Sequence, residues 1–246
     1  MKCIILAAGY ATRLYPLTEN FPKPLLDVNG KTILDWLLED IDSTGMIKEY
    51  AVVSNHKFAD HFIKWAEKLQ LSAPVKVIDD GSVSNETRLG AVRDIQFAVD
   101  SIGGNDDLMV IAGDNLLDFS LTGFINYFNE KQATCVMRYF EPDTARRSKS
   151  GVVEINENGK IIGMEEKPAI PRSNWCTPPF YIYKKDDIPL INNAIEDGTD
   201  TDAPGNFIAW LCKKTDVFAM EMTGQRYDIG NLESYKKARE QYRGIL

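Results

Sequence analysis

An α/β fold, with a Rossmann-like, mainly parallel sheet and helices on both faces, is the class this sequence predicts. Three observations carry that expectation. Short apolar runs alternate with helix-period segments through the first half of the chain. The first run closes on Ala7-Ala8-Gly9, a small-residue turn suited to the end of a buried parallel strand. No linker or low-complexity segment interrupts the 246 residues, so residues 1–246 are expected to form a single domain.

Element by element, Cys3–Ala8 reads as the first strand. Ile33, Leu34, Leu37, Leu38 and Ile41 then recur at helical spacing, with Gly45 as the stop. Tyr50–Ser54 reads as a second strand, and Phe58, Phe62, Trp65 and Leu69 mark one face of a helix that also takes in His56 and His61. Val75–Ile78, Leu89–Val99 and Leu108–Ala112 follow as strand, helix and strand. In sheets of this kind ligands sit beyond the carboxyl ends of the strands, which puts Gly9–Lys23, Asp79–Arg88 and Gly113–Asn115 around one crevice. The second half predicts a more antiparallel region inserted into this plan. Thr134–Phe140 is a strand, and Val152–Ile155 and Lys160–Met164 flank Asn156-Glu157-Asn158-Gly159, a hairpin signal because Asn-Gly tolerates positive φ. Phe180–Tyr183, Val217–Met222 and the helix Leu232–Tyr242 complete the expected order.

Composition narrows the function. A formal charge of −8 and a pI near 4.9 argue against a nucleic-acid partner. No apolar stretch approaches the roughly 18 residues a membrane helix requires, and the N-terminal apolar run is too short for a signal peptide. Four scattered cysteines without a C-x-x-C pair predict reduced, mostly buried thiols. A cytoplasmic location is the expectation.

Residues 6–18, from Leu6 to Thr18, follow the first strand directly. Small residues here let backbone N–H groups approach an anion, and Arg13 adds a permanently charged fork suited to a triphosphate. Lys23 stands between Pro22 and Pro24, each of which restricts the backbone, so it sits on a stiff loop. A stiff lysine suits positioning and charge stabilisation in phosphoryl transfer. The alternative for each piece taken alone is a glycine turn with a surface arginine and lysine. Asp114 ends a strand and Asp228 precedes the closing helix. Two carboxylates can share one Mg²⁺, while singly each reads as a turn residue or a helix-start residue. Glu165-Glu166-Lys167-Pro168, by itself, is a solvated charge cluster at a strand end.

Leu6–Leu25 closely resembles the signature of the sugar-phosphate nucleotidyltransferases, which include glucose-1-phosphate thymidylyl-, uridylyl-, adenylyl- and cytidylyltransferases and mannose-1-phosphate guanylyltransferases. The resemblance extends over nearly the whole chain. It implies the nucleotide-diphospho-sugar transferase fold, a nucleoside triphosphate and a sugar 1-phosphate as substrates, Mg²⁺ as cofactor, and an NDP-sugar and pyrophosphate as products. By the same resemblance Arg13, Lys23 and Asp114 are catalytic and Asp114 with Asp228 holds the metal. Leu6, Ala8, Gly9, Thr12, Arg13, Lys23, Asp80 and Arg88 are expected to bind the nucleotide. Gly151, Glu166 and Lys167 are expected to bind the sugar phosphate, with Thr177 as a further sugar contact in a stretch that departs from the family. A homo-oligomer is compatible with this family.

The sequence also departs from the family pattern. Tyr10-Ala11 stands where a pair containing glycine is usual. Residues 80–90 lack the glutamine that reads a pyrimidine, and Arg88 stands near a glycine position, where a place in the first turn of a helix is the competing reading. Pro178-Pro179 replaces a small residue and glycine. These departures leave base and acceptor open, with a cytidylyltransferase of small alcohol phosphates such as phosphocholine, or a catalytically silent nucleotide sensor, as alternatives. Asp200-Thr201-Asp202 resembles the D-x-D of glycosyltransferases, yet Asp202 as cap of a helix starting near Pro204 is the preferred reading.

Overall fold

The computed structural model describes residues 1–245. The chain begins β1 (Lys2–Leu6), β2 (Asp27–Val28), β3 (Lys31–Thr32), α1 (Ile33–Ser43), β4 (Tyr50–Ser54), α2 (Ala59–Ala66) and β5 (Val75–Asp79). It continues α3 (Ala91–Ile102), β6 (Leu108–Ala112), β7 (Asn115–Leu117), α4 (Thr122–Lys131), β8 (Thr134–Phe140), α5 (Thr144–Arg147) and β9 (Gly151–Ile155). Then come β10 (Ile161–Glu166), β11 (Trp175–Thr177), β12 (Phe180–Tyr183), α6 (Leu190–Glu196), α7 (Gly205–Leu211), β13 (Val217–Glu221), β14 (Arg226–Asp228) and α8 (Leu232–Gln241). These elements gather into two compact units. The first holds Met1–Arg88, Ala112–Thr122 and the segment from Thr223, and the second holds Leu89–Ile111 and Gly123–Met222.

In the first unit β4 lies between β1 and β5, parallel to both. All five β4 residues are buried, as expected of a strand covered on both faces. α1 turns Ile33, Leu34, Leu37, Leu38 and Ile41 inward. A capping box starts it: Asp35 N donates to Thr32 Oγ1 at 3.0 Å and Thr32 N to Asp35 Oδ2 at 2.9 Å. Such a cap contributes about 1 kcal/mol. α2 is shorter than its apolar period suggests. His56 lies ahead of it and pairs its Nδ1 with Asp79 Oδ2 at 2.6 Å, so the two histidines do not share a helix.

The second unit is mixed. β12 runs antiparallel to β6 and to the start of β8, β11 antiparallel to β8 and β9, and β10 antiparallel to β9, while β13 is parallel to β8. The Asn-Gly hairpin is present. Asn156 Oδ1 accepts from Asn158 N and Lys160 N, and Gly159 has φ +78°. α3 begins at Ala91 because Gly90 has φ +91°, outside the helical region. A Cβ at Gly90 would also lie 2.5 Å from the Thr201 carbonyl oxygen. The α/β class and the antiparallel insertion are those expected from the sequence. All four cysteines are free, and Cys3, Cys135 and Cys176 are buried. No helix among the described residues is long and apolar enough to cross a membrane.

Candidate active site

Within the first unit, one apolar cluster fixes three segments that are distant in sequence. Leu14 follows Arg13, Leu116 follows Asp114 by two positions, and Ile229 follows Asp228; all three are buried in a cluster with Val28, Ile33, Tyr235 and Tyr242. Tyr242 Oη donates to Leu117 O at 2.9 Å and Tyr235 Oη to Asp27 O at 2.7 Å, which ties α8 to the same floor. The hydrophobic term therefore sets where the charged groups emerge.

The loop after β1 is open and small where an anion would approach. Leu6 O accepts from Gly113 N at 3.0 Å, and Ala8 O accepts from Asn55 Nδ2 at 2.9 Å. A Cβ at Gly9 would meet nothing within 4 Å. Thr12 opens a short 3-10 turn and is exposed. Arg13 is exposed and makes no hydrogen bond or ion pair among the described residues, leaving its guanidinium available to a ligand. Ala11 has φ +48°, ψ +41°, the left-handed region that alanine rarely adopts. Thr18, fully buried, donates from Oγ1 to Ala11 O at 2.8 Å and helps hold that conformation. The turn thus keeps its positive φ although glycine is missing. Ala11→Gly is expected to raise stability by ~0.5 kcal/mol, the strain relieved less the backbone entropy glycine adds. A shift of the urea midpoint upward checks it.

Lys23 is stiffly held, as its flanking prolines suggest. Its Nζ forms an ion pair with Asp114 Oδ2 and donates to Ile229 O at 2.9 Å. Asp114 Oδ1 accepts from Asn115 Nδ2 at 2.7 Å, and Asn115 Oδ1 accepts from Arg226 Nη1 at 2.7 Å. Burial pushes the Asp114 carboxyl up, but the charge and hydrogen bond of Lys23, with the charge of Arg226, outweigh it and hold the group below its usual range. Asp228 is the last residue of β14, not the start of a helix; Asn231 caps α8. The β14–β7 register sets Asp228 opposite Asn115, one residue from Asp114, and Arg226 Nη1 lies 3.7 Å from Asp228 Oδ2. Among the described residues no group of three His, Cys, Asp or Glu forms a ready metal cage. Two carboxylates are nevertheless the donor set Mg²⁺ takes when phosphates supply its other ligands.

Asp80 follows β5 and is buried. Its Oδ1 accepts from Ser82 N and Oγ, both at 2.7 Å, while its buried Oδ2 has no hydrogen-bond partner among the described residues. Arg88 is exposed, precedes α3 and donates to Asn85 Oδ1 at 3.3 Å, so it is not a first-turn helix residue.

In the second unit, sheet register aligns three of the expected sugar-side residues. Glu166 and Thr177 both sit opposite Gly151, on either side of it. A Cβ at Gly151 would fall 2.4 Å from Thr177 Oγ1 and 2.9 Å from Glu166 Oε2. Thr177 Oγ1 is buried without a hydrogen-bond partner among the described residues. Lys167 has φ +49°, and its Nζ lies 4.0 Å from Asp202 Oδ2. Asp202 does not cap α7, which starts after Pro204 with no side-chain cap. Gly205, which the sequence did not mark, is the fourth wall: a Cβ there would lie 2.0 Å from Glu166 Oε2.

Burial pushes the Glu166 carboxyl up to about 6; Lys167 opposes this, and Asp200 and Asp202 add to it. Below its ordinary value near 4.5 the group is protonated folded or unfolded and carries no penalty. Between about 4.5 and about 6 the unfolded state ionises while the folded state keeps its proton, so stability falls as pH rises and levels off above about 6. Glu166→Gln should therefore gain up to about 2 kcal/mol relative to the parent at pH 8 and nothing at pH 4. Urea midpoints at the two pH values measure it.

A family model described as "Nucleotidyl transferase" matches residues 2–244. The chain is 28% identical over 234 residues to "Bifunctional protein GlmU" of Methanocaldococcus jannaschii, covering 94% of this chain and 51% of that protein. It is 27% identical over 260 residues to "UTP--glucose-1-phosphate uridylyltransferase" of Synechocystis, covering 100% of this chain and 63% of the relative. It therefore spans between about half and two thirds of the length of these curated relatives. A solved UDP-glucose pyrophosphorylase complexed with UDP-glucose superposes with a TM-score of 0.82 at 22% identity, covering 98% of this chain and 97% of that one, and so shares the fold. Since the family match takes in nearly every residue, the chain belongs to the nucleotidyl transferase family.

Proposed function

We propose that this protein is a Mg²⁺-dependent sugar-1-phosphate nucleotidyltransferase of the cytoplasm. The observation that carries the reading is the first-unit constellation, in which Lys23 is fixed on Asp114, Asp228 stands one rung away and Arg13, unpaired among the described residues, stands beside an open glycine loop. The sugar-phosphate activities named for the relatives support it. An acceptor phosphate oxygen attacks the α-phosphorus of the nucleoside triphosphate, the bond from that phosphorus to the bridging oxygen breaks, and pyrophosphate leaves. Arg13 binds the departing pyrophosphate and Lys23 the transferring phosphoryl group, so positive charge is in place where negative charge develops. Asp114 and Asp228 are the residues that would hold Mg²⁺, whose contribution when bound is to neutralise phosphate charge. On the acceptor side, Lys167 anchors the phosphate, Glu166 and Thr177 accept or share hydrogen bonds with hydroxyls, and Gly151 leaves the sugar room to approach backbone. No protein nucleophile is needed, because positioning and charge stabilisation carry phosphoryl chemistry.

The test is pyrophosphate release with Mg²⁺ from each common nucleoside triphosphate against a panel of sugar 1-phosphates and phosphocholine. Release in a sugar-phosphate cell, abolished by EDTA, is expected. Release with phosphocholine alone would replace the sugar acceptor by a small alcohol phosphate. Nucleotide binding without release from any acceptor would favour the silent sensor.

A further inference from the structure

The first unit contains a cavity of about 710 Å³ that the reaction above does not use. Its apolar lining comes from Phe21, Leu25, Leu38, Trp65, Leu69 and Leu71, and its volume is that of a small-molecule site. Leu25 and Trp65 are nearly inaccessible to solvent, so these walls are set by the fold.

The charged lining is unevenly satisfied. Of the two acids, Asp35 accepts from Thr32 N at 2.9 Å and from Trp65 Nε1 at 2.8 Å. Glu39 is paired with Lys31. Both carboxylates are therefore occupied. The basic groups are not: Lys64 and Lys68 are exposed and their ammonium groups have no partner among the described residues. His61 packs edge-on against Phe21, ring centroids 5.4 Å apart, and its buried Nδ1 has no hydrogen-bond partner among the described residues. An apolar, aromatic-walled cavity whose acids are engaged and whose cations are free is complementary to a flat apolar ring carrying one negative group.

We propose that this cavity is a binding site for a small aromatic anion, a ring system bearing a carboxylate, phosphate or sulfonate, with Lys64 and Lys68 receiving the charge and Phe21, Leu38, Trp65 and Leu69 enclosing the ring. Its position gives it a second consequence. Phe21 and Leu25 lie two residues to either side of Lys23, and Leu26 N donates to Lys23 O at 3.0 Å within the same turn. An occupant therefore touches the segment that carries Lys23, without entering the phosphate loop.

The probe is 1-anilinonaphthalene-8-sulfonate, titrated into the full chain and followed by its fluorescence; no turnover is involved, so the result is independent of the proposed reaction. One saturable site is expected. Reversing both charges, Lys64→Glu with Lys68→Glu, should weaken it about tenfold, the scale of two partly exposed ion pairs. Leu69→Trp, which sets a bulkier ring into the apolar wall, should weaken it severalfold. Both variants change partly exposed residues and should keep the parent's thermal midpoint. The uncharged analogue N-phenyl-1-naphthylamine should be indifferent to the charge reversal. Dye binding unchanged in both variants would place the dye elsewhere and overturn the site. Binding weakened in Leu69→Trp yet untouched by charge reversal would overturn the anion assignment.

Discussion

Asp114→Asn is expected to lower kcat for pyrophosphate release by at least ~100-fold while the protein remains folded. The carboxylate has two duties at once. Its Oδ2 holds the Lys23 ammonium, and with Asp228 it offers the charged oxygen pair proposed for Mg²⁺. Asparagine keeps an oxygen for the Asn115 Nδ2 bond but puts a neutral group beside Lys23, removing charge from both partners. Lys23 still donates to Ile229 O, so the loop keeps one anchor, and the destabilisation should stay within about 1–2 kcal/mol. Nucleotide affinity should change far less than kcat, because Arg13 and the Gly9 loop do not depend on Asp114 for their placement. Single-turnover kinetics beside a nucleotide titration separates the two. Near-parental turnover in this variant would remove Asp114 from the chemistry and with it the metal assignment.

The same residues show what a sequence can and cannot disclose. Arg13 and Lys23 were legible because their partners in the argument are close in sequence: a strand, a small-residue turn, and prolines that stiffen the lysine on both sides. The strands β4, β6, β8 and β12 have the expected bounds because each is a run rich in apolar and β-branched or aromatic residues; β4 and β12 are buried throughout, whereas β8 ends on the exposed Phe140. Asp228 was visible as a candidate only through family resemblance. Its strand is three residues long and pairs with another of three, too short for any periodicity to register. Ala11 looked like a lost glycine, yet its backbone kept the glycine conformation because Thr18 and the cluster around Leu14 hold it. Arg88 lies outside α3 because Gly90, at φ +91°, immediately precedes the helix, and only glycine leaves room there for the Thr201 carbonyl, a contact no local pattern announces.

Gly205→Ala should raise the KM for the acceptor phosphate about ten- to a hundredfold and leave the KM for the nucleotide unchanged. Alanine is a better helix former than glycine, so the substitution at the first position of α7 should leave stability equal or slightly improved. What it cannot leave in place is Glu166. The added methyl would lie 2.0 Å from Oε2, and the carboxylate end of a flexible side chain is the atom that can yield at least expense. Met164 Cε, 3.0 Å from the same point, needs only a small adjustment. Glu166 therefore swings out of line with Gly151 and Thr177, and the row proposed to bind sugar hydroxyls loses its charged member while its strands stay paired. If Gly205 acts only through Glu166, the two changes must not add. In a Glu166→Gln background, Gly205→Ala should raise acceptor KM much less than it does alone, since the group it displaces has already lost its charge. Full additivity would mean that Gly205 contacts the acceptor itself. An acceptor KM that does not move would show that Glu166 stands outside the acceptor site.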